Sequence, residues 1–196
     1  AYSGATSQNM SIGGNLINNT VGTTAGGTTT VRQCNFSLVP VTFFGNTSAT
    51  ISNTLNSPIT VFDRVILNKG NSQATTLTIS IGGTLTTLTD NWLTLQNGTL
   101  IYNRTGNLNI ATGTPLVIPA SAGLTINNSP SNITIGTNTT SGTILSLSGK
   151  LKLTSNFTGN VYIGTNGTTA TSHNDIQYSS AGTSAIEIAN GNLYVN

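Results

Sequence analysis

The stretch NWLTLQNGTLIYNRTGNLNIATG, residues 91–113, decides between two all-β folds. It holds three apolar pairs whose members are separated by a single residue: Leu93/Leu95, Leu100/Tyr102 and Leu108/Ile110. Asn97 and Gly98 follow the first pair. An Asn-Gly between two alternating runs is a strong signal for a β-hairpin, because both residues tolerate the positive φ that a type I′ turn requires. The stretch therefore contains either strands folded back on each other or successive sides of a coil.

Such pairs recur about every eight residues along the chain. Their first members are Leu77, Leu85, Leu93, Leu100, Leu108, Leu116, Leu124 and Ile133. Each pair is typical of a very short strand with two inward side chains, because successive strand residues point to opposite faces. Sandwiches and barrels usually need longer strands, whereas a parallel solenoid needs only two inward residues per side. The spacing predicts an all-β parallel β-helix with about three strands per coil of about 24 residues; the alternative is an antiparallel β-sandwich.

The same pairs predict where coils begin and which side chains point inward. Candidate coils run from Leu77 to Thr99, Leu100 to Gly123 and Leu124 to Lys150, and they lengthen towards the C-terminus. The second members of the regular pairs are Ile79, Leu88, Leu95, Tyr102, Ile110, Ile118, Ile126 and Ile135. Less regular pairs are Ile59/Val61, Val65/Leu67, Leu145/Leu147, Leu151/Leu153, Val161/Ile163, Ile176/Tyr178, Ile186/Ile188 and Leu193/Val195. Both members of every pair are expected inside the stack.

Residues 1–58 are less regular than the rest of the chain. They hold the densest aromatic cluster, Phe36, Phe43 and Phe44. A solenoid needs its first coil capped, because a bare strand edge recruits other strands. We predict an N-terminal irregular or capping β segment at residues 1–58 and parallel β-helix repeats at residues 59–196. Since the chain stops inside a strand unit, GNLYVN, we expect the repeats to continue in a longer polypeptide.

Charged side chains are scarce. Six Lys and Arg residues face four Asp and Glu residues, a net charge of +2, and only 5% of the chain is charged. This charge is too weak and scattered for binding nucleic acid or a membrane surface. No apolar run approaches the ~20 residues that span a bilayer. A surface solvated mainly by Asn, Thr, Ser and Gly suits an extracellular protein.

Few residues in the chain could carry catalysis. Asp63 and Asp90 lie about one coil apart, and glycosidases need two carboxylates close together. Trp92, beside Asp90, could then provide a carbohydrate platform. The simpler interpretation is that Asp63 is a turn residue or pairs with Arg64, and that Asp90 occupies a corner. We therefore predict that this segment is not an enzyme and has no catalytic residue.

Nucleophile and metal sites are not expected either. Ser172, His173 and Asp175 lie within four residues of each other, but a catalytic triad depends on spatial placement and an oxyanion hole. Cys34 is the single cysteine, so no internal disulfide or thiolate metal site can form within the chain. We expect it to pack as a small apolar residue. We predict no cofactor-binding and no metal-ligating residue.

Threonine and asparagine form two weaker patterns. Thr-x-Thr motifs do not recur at the coil period, so no continuous threonine ladder is expected. Eleven asparagines begin an Asn-x-Ser/Thr motif, against about eight expected by chance for this composition. They are Asn9, Asn18, Asn35, Asn46, Asn97, Asn103, Asn127, Asn132, Asn138, Asn156 and Asn166.

Three segments carry a resemblance to a known group of proteins. LTLQNGTLIYNRTGNLNIATGTPLVI, ILSLSGKLKLTSNFTGNVYIG and GTSAIEIANGNLYVN resemble the β-strand-repeat regions of large surface and secreted proteins of Bacteroidota, many of them type IX secretion cargo. The resemblance covers residues 59–196 and lies in the texture of the repeats. It implies a right-handed β-helix near the N-terminus of a long adhesin-like or gliding-associated protein. The C-terminal sorting domain expected of such cargo is not in this sequence.

These observations predict an extracellular structural or adhesive repeat module of a large cell-surface or secreted protein. The expected partners are the secretion machinery and surface glycans or partner proteins, together with self-association through coil edges. One alternative is a carbohydrate-active β-helix enzyme whose catalytic residues lie partly outside the segment. The other is a self-assembling filament subunit.

Overall fold

The computed structural model describes residues 8–20, 23–25, 28–30, 33–54, 58–89, 91–110, 115–127, 132–136, 142–164, 173–178 and 185–195. Within these ranges the regular structure consists of 22 strands, numbered β1 to β22 along the chain, with no helix. Every strand pairing in them is parallel except that of one hairpin. The parallel β-solenoid predicted from the spacing is therefore confirmed, and the antiparallel sandwich is excluded.

Each coil has three sides, and equivalent strands of successive coils stack on each other. The first side contains β1 (Met10–Ile12), β6 (Val41–Gly45), β9 (Val65–Lys69), the start of β12 (Leu93–Asn103), β14 (Leu116–Ile118), β17 (Gly142–Leu147) and β20 (His173–Tyr178). The second contains β2 (Leu16–Ile17), β7 (Ala49–Ser52), β10 (Thr76–Ile79), the end of β12, β15 (Ala122–Asn127), β18 (Lys150–Leu153) and β21 (Ala185–Ile188). The third contains β5 (Gln33–Phe36), β8 (Ile59–Phe62), β11 (Thr84–Thr87), β13 (Leu108–Ile110), β16 (Asn132–Ile135), β19 (Asn160–Ile163) and β22 (Asn192–Val195).

The second side is one continuous parallel sheet from β2 to β21. Leu100 pairs with Leu77 on one side and Leu124 on the other, and Leu124 pairs with Leu151. These partners are the coil boundaries predicted from the apolar pairs, which are therefore confirmed. The coils average about 28 residues, longer than the predicted 24. The longer coils lie at the ends of the stack. In the last described coil, for example, Leu153 pairs with Ile188, which follows it by 35 residues in the chain.

The opening stretch forms a corner between two parallel sheets. Residues 93–97 pair with β9, and residues 98–103 pair with β15. Asn97 donates from Nδ2 to Asn68 Oδ1 at 2.8 Å, and the Gly98 N–H donates to the Ser121 carbonyl at 3.0 Å. The Asn-Gly pair therefore turns the chain from the first side to the second, and the hairpin interpretation is wrong.

Gly98 is required at this corner for two reasons. Its φ of +87° lies in the left-handed region, and a Cβ there would approach the Lys69 carbonyl oxygen to 2.7 Å. The same corner uses Gly45 and Gly70, also with positive φ, in the two preceding coils. A glycine at this position lets the main chain of one coil pass close over the coil beneath.

The predicted inward pairs fill the core in the central coils. Fully buried members include Leu77, Ile79, Leu100, Tyr102, Leu124, Ile126, Ile133, Ile135, Leu145, Leu147, Leu151 and Leu153. Each buried side chain contributes roughly 1.5–3 kcal/mol through the removal of apolar surface from water. This core, repeated on each coil, is the main source of stability for the stack.

The inner face of β8 differs from the predicted pair Ile59/Val61. Val61 is buried, with 6% of its surface exposed, but it does not join the core cluster, and Ile59 is only half-buried. Thr60 and Phe62 are fully buried, and the Phe62 ring stacks on Phe36 with 5.4 Å between centroids. Every residue of the segment ITVF except Thr60 is apolar. Both faces of the strand therefore carry apolar side chains, and periodicity cannot select the inner one. The buried Thr60 hydroxyl accepts a 2.8 Å hydrogen bond from Asn18, which removes the cost of burying it.

Two further groups of predicted inward residues are not buried. Leu88 follows the end of β11 and is half exposed. Tyr178, Ile188 and Val195 are 52%, 49% and 50% exposed, because they lie in the last described coil and no described strand stacks on them.

Some predictions about the whole chain remain predictions. Strands on both sides of residue 58 belong to the same stacked sheets, and β3 (Thr23–Ala25) and β4 (Thr28–Thr30) form the antiparallel hairpin. The division at residue 58 and the right-handed sense of the coil stay predictions.

Substitution of Gly98 by alanine is expected to lower the free energy of unfolding by about 1–3 kcal/mol, because the residue keeps a positive φ and its Cβ meets the backbone of the coil below. Urea unfolding followed by circular dichroism measures the change. Gly14→Ala is the matched control, since a Cβ at Gly14 meets nothing within 4 Å. Equal losses in the two variants would contradict the role assigned to Gly98.

Candidate binding surface on the third side

The predicted carboxylate pair is only partly visible in the described residues. Asp63 lies in the two-residue turn between β8 and β9, and its carbonyl accepts a 2.8 Å hydrogen bond from the Thr89 hydroxyl. Asp90 lies outside the described residues. The turn interpretation of Asp63 is confirmed, and the distance between the two carboxylates is not part of the described structure.

Trp92 is a structural residue rather than a carbohydrate platform. Its side chain is only 1% exposed, and Nε1 donates to the Asn109 carbonyl at 3.0 Å. The neighbouring Ile110 carbonyl faces β16, where it accepts from the Gly136 N–H, so the Asn109 carbonyl points towards the preceding coil. No described strand pairing joins β11 to β13 there. The indole N–H of Trp92 satisfies the carbonyl that a paired strand would otherwise satisfy.

The other candidate residues form no recognisable catalytic group. Ser172 lies outside the described residues, and so does the side chain of His173, whose backbone begins β20. Asp175 lies in the same strand, and its Oδ1 is buried without a hydrogen-bond partner among the described residues. Cys34 is half-buried in β5, where burial raises the pKa of its thiol and disfavours the thiolate.

Metal ligands do not cluster in the described part of the chain. No group of three or more His, Cys, Asp or Glu residues is placed to hold a metal ion there. A helix long and apolar enough to cross a membrane is likewise not found among the described residues.

A small cleft interrupts the first side. No described hydrogen bond joins residues 93–97 of β12 to β14 in the next coil, and the gap has a volume of about 140 Å³. Its walls are formed by Asn91, Leu93, Thr94, Leu95, Pro115, Leu116 and Val117. The second side continues unbroken beside the cleft, so the two halves of the stack remain joined.

An asparagine ladder runs along the third side. Its four members, one per coil, are Asn107, Asn132, Asn160 and Asn192. The Asn107 carboxamide oxygen accepts from the Asn132 backbone N–H at 3.0 Å. Asn160 donates to Asn132 at 3.2 Å and Asn192 donates to Asn160 at 3.0 Å, both from Nδ2 to Oδ1. The ladder ties four successive coils together on the outside of the stack.

A row of three hydroxyl-bearing side chains lies beside this ladder. Thr134 pairs in register with Tyr162, and Tyr162 pairs with Tyr194. The two tyrosine rings are stacked, with centroids 5.1 Å apart and planes 14° from parallel. Because residues two apart in a strand share a face, the asparagine ladder and this row form one surface, which we call the amide–tyrosine strip.

The amide–tyrosine strip carries no charged side chain. The ion pairs among the described residues lie on the second side, where Glu187 binds Lys150 at 2.7 Å and Lys152 at 3.4 Å. The hydrogen bond from Lys150 lowers the pKa of Glu187. The second side therefore presents a small charged cluster, whereas the strip on the third side presents only neutral hydrogen-bond donors and acceptors.

Sequence reasoning recognised these asparagines only as turn residues or glycosylation motifs. A usable signal was present, because Asn107, Asn160 and Asn192 each follow a glycine and precede an apolar strand pair. Successive members of the ladder are 25, 28 and 32 residues apart, which matches the coil length. Aligning the apolar pairs coil by coil brings these asparagines into one column.

Lys69 is a buried cation at the corner between the first and second sides. Its side chain is 0% exposed, and Nζ donates to the carbonyls of Phe44 at 2.7 Å and Gly13 at 3.1 Å. Burial lowers the pKa of the ammonium group below its ordinary value. Lys69 thus links three coils through their carbonyl groups and carries a desolvated charge.

Comparison with protein-family models, with curated proteins and with solved structures finds no match to this chain.

The free energy of unfolding of the wild type, relative to that of a Lys69→Met variant, is expected to rise with pH. Between the lowered pKa of Lys69 and its ordinary value of 10.5, the unfolded chain holds a proton that the folded chain has released, so raising the pH favours folding. Below the lowered pKa the penalty of the buried charge is fully present. Urea unfolding of both proteins from pH 7 to 10.5 measures the difference, and a constant difference would contradict the buried-charge assignment.

Proposed function

We propose that this chain is an extracellular structural and adhesive repeat module of a large cell-surface or secreted protein. The continuous second side supports this proposal most directly. Backbone pairing from β2 to β21 joins all the described coils into one stack, and the second side is a long, continuous outer face. A stack of this kind presents side chains at fixed intervals without any moving part, which is what a passive spacer or binding surface requires.

The chemistry of the surface also supports a passive role. Only 5% of the residues are charged, and outward strand positions are mostly Thr, Asn and Ser. Asparagine carboxamides link adjacent coils at other corners too, where Asn127 donates to Asn103 and accepts from Thr154. The outer faces are thus ordered and carry few charges, which fits a segment that acts by contact and carries out no catalysis.

The resemblance of residues 59–196 to Bacteroidota repeat proteins supplies the finer part of the proposal. In this finer proposal the module belongs to an adhesin-like or gliding-associated protein exported by the type IX system. Its partners are then the secretion machinery during export and surface glycans or partner proteins afterwards.

Beads coated with the 196-residue protein are expected to be retained on polysaccharide-coated surfaces or on bacterial cell-surface preparations. Reducing-sugar release from the same polysaccharides is expected to stay at background, because the proposal assigns no catalytic residues to the segment. Bovine serum albumin on identical beads is the control. Sugar release above background would contradict the proposal and favour the enzyme alternative.

Self-assembly into filaments is a second candidate because of the last described coil. Tyr178, Ile188 and Val195 expose an apolar surface at that end of the stack. Negative-stain images of purified protein are expected to show filaments if this surface joins copies. Single short particles at all concentrations would rule the filament out.

A further inference from the structure

The asparagine ladder keeps hydrogen-bonding capacity for a ligand. A carboxamide has two N–H donors and an oxygen with two acceptor positions. Asn160 uses one donor towards Asn132 and one acceptor position towards Asn192. One donor and one acceptor position of the middle carboxamide are therefore left over. Asn132 and Asn192 are exposed, so the ladder presents the same pair of groups to the outside in successive coils.

The neighbouring tyrosines add hydroxyl groups at the same interval. Tyr162 and Tyr194 are stacked, so one face of each ring is covered by the other ring. A ligand lying along the stack therefore meets ring edges and hydroxyl groups, and hydrogen bonds are the main means of recognition. The two facing sides of the rings are already used for stacking on each other.

The spacing of these groups along the stack determines the repeat length that a ligand must have. Successive coils are separated by about 4.8 Å, the spacing of paired strands. A linear polysaccharide presents hydroxyl groups once per pyranose unit, and an extended unit has about this length. A chain lying parallel to the stacking axis would therefore meet one carboxamide and one tyrosine or threonine hydroxyl at each sugar. The three coils that carry both groups span about 10 Å.

Charge and shape narrow the class of partner. The strip has no cation for an acidic polysaccharide or a nucleic acid to pair with. The hot spots of protein interfaces are aromatic or Arg anchors in fully desolvated pockets. The two tyrosines of the strip are stacked on each other, and the described cleft contains no residue of the strip.

We infer that the amide–tyrosine strip binds a neutral linear polysaccharide laid parallel to the stacking axis. This inference rests on the adhesive part of the proposed function and names its ligand class and the residues that contact it. The binding residues are Asn132, Asn160 and Asn192 together with Thr134, Tyr162 and Tyr194.

Affinity gel electrophoresis of the full chain tests the inference. The neutral probes are glucomannan and hydroxyethylcellulose, and the acidic probes are alginate and polygalacturonate. Neutral probes are expected to retard the protein more than acidic ones. A Tyr162→Phe/Tyr194→Phe double variant keeps the stacked rings and loses both hydroxyl groups. Its affinity is expected to fall about tenfold, the effect of two modest hydrogen bonds.

Matched controls separate the strip from the rest of the surface. Tyr178→Phe removes a tyrosine hydroxyl at the end of the stack and is expected to bind as the wild type does. Asn160→Asp replaces the middle carboxamide by a carboxylate that cannot donate, and it is expected to abolish retardation. Asn46→Asp adds the same charge in an exposed turn away from the strip and is expected to have no effect.

Each contrary result overturns a distinct statement. Equal retardation of the wild type and the tyrosine double variant would remove the strip as the binding site while leaving adhesion intact. Stronger retardation by the acidic probes would overturn the neutral ligand class. No retardation by any probe would overturn the inference, while retention of coated beads on cell surfaces would still support the proposed function through a protein partner.

Discussion

The parallel pairing of each strand with its equivalent one coil away is the constraint on which the whole structure depends. In the second side this pairing places Leu100 between Leu77 and Leu124, and all three side chains are fully buried. This single register both satisfies the main-chain hydrogen bonds and buries the inward side chains in the core. A shift by one residue would turn every inward side chain to the solvent. The corner glycines, the asparagine ladder and the Lys69 contacts all have their positions because this register is kept.

The sequence was most informative where this constraint is strictest. Near Leu77 and Leu124 only one alternating set of residues is apolar, so the pattern defined the inner face there, and the regular spacing of the pairs placed Leu100 in the same column although Ile101 beside it is also apolar. It failed at residues 59–62, where Ile59, Val61 and Phe62 leave both faces apolar and the choice depends on Phe36 in the coil below. Burial in the last coil also cannot be inferred from a pair such as Ile186/Ile188, because it depends on whether another coil stacks there.

The candidate binding strip shows a different limit of sequence reasoning. Asparagine favours turns and corners, so its local preference is the same whether its carboxamide faces water or another carboxamide. Local preference therefore does not show that Asn132, Asn160 and Asn192 form one column, which follows only when the coils are aligned in the register of β16, β19 and β22. Trp92 illustrates the opposite error, because a lone tryptophan beside an aspartate suggested a ligand platform, whereas its indole satisfies a main-chain carbonyl left open by a break in the third side.

The corner at Asn97 and Gly98 also affects how long the protein stays chemically intact. Asparagine is a thermolabile residue, and an Asn-Gly pair decays when the glycine nitrogen attacks the asparagine carboxamide and ammonia leaves. Here the Gly98 N–H is held by the Ser121 carbonyl of the next coil, and the Asn97 carboxamide is held by Asn68 of the previous one. The two reacting groups are thus restrained by different neighbours, and the stack slows the deamidation that the same dipeptide undergoes in an open loop.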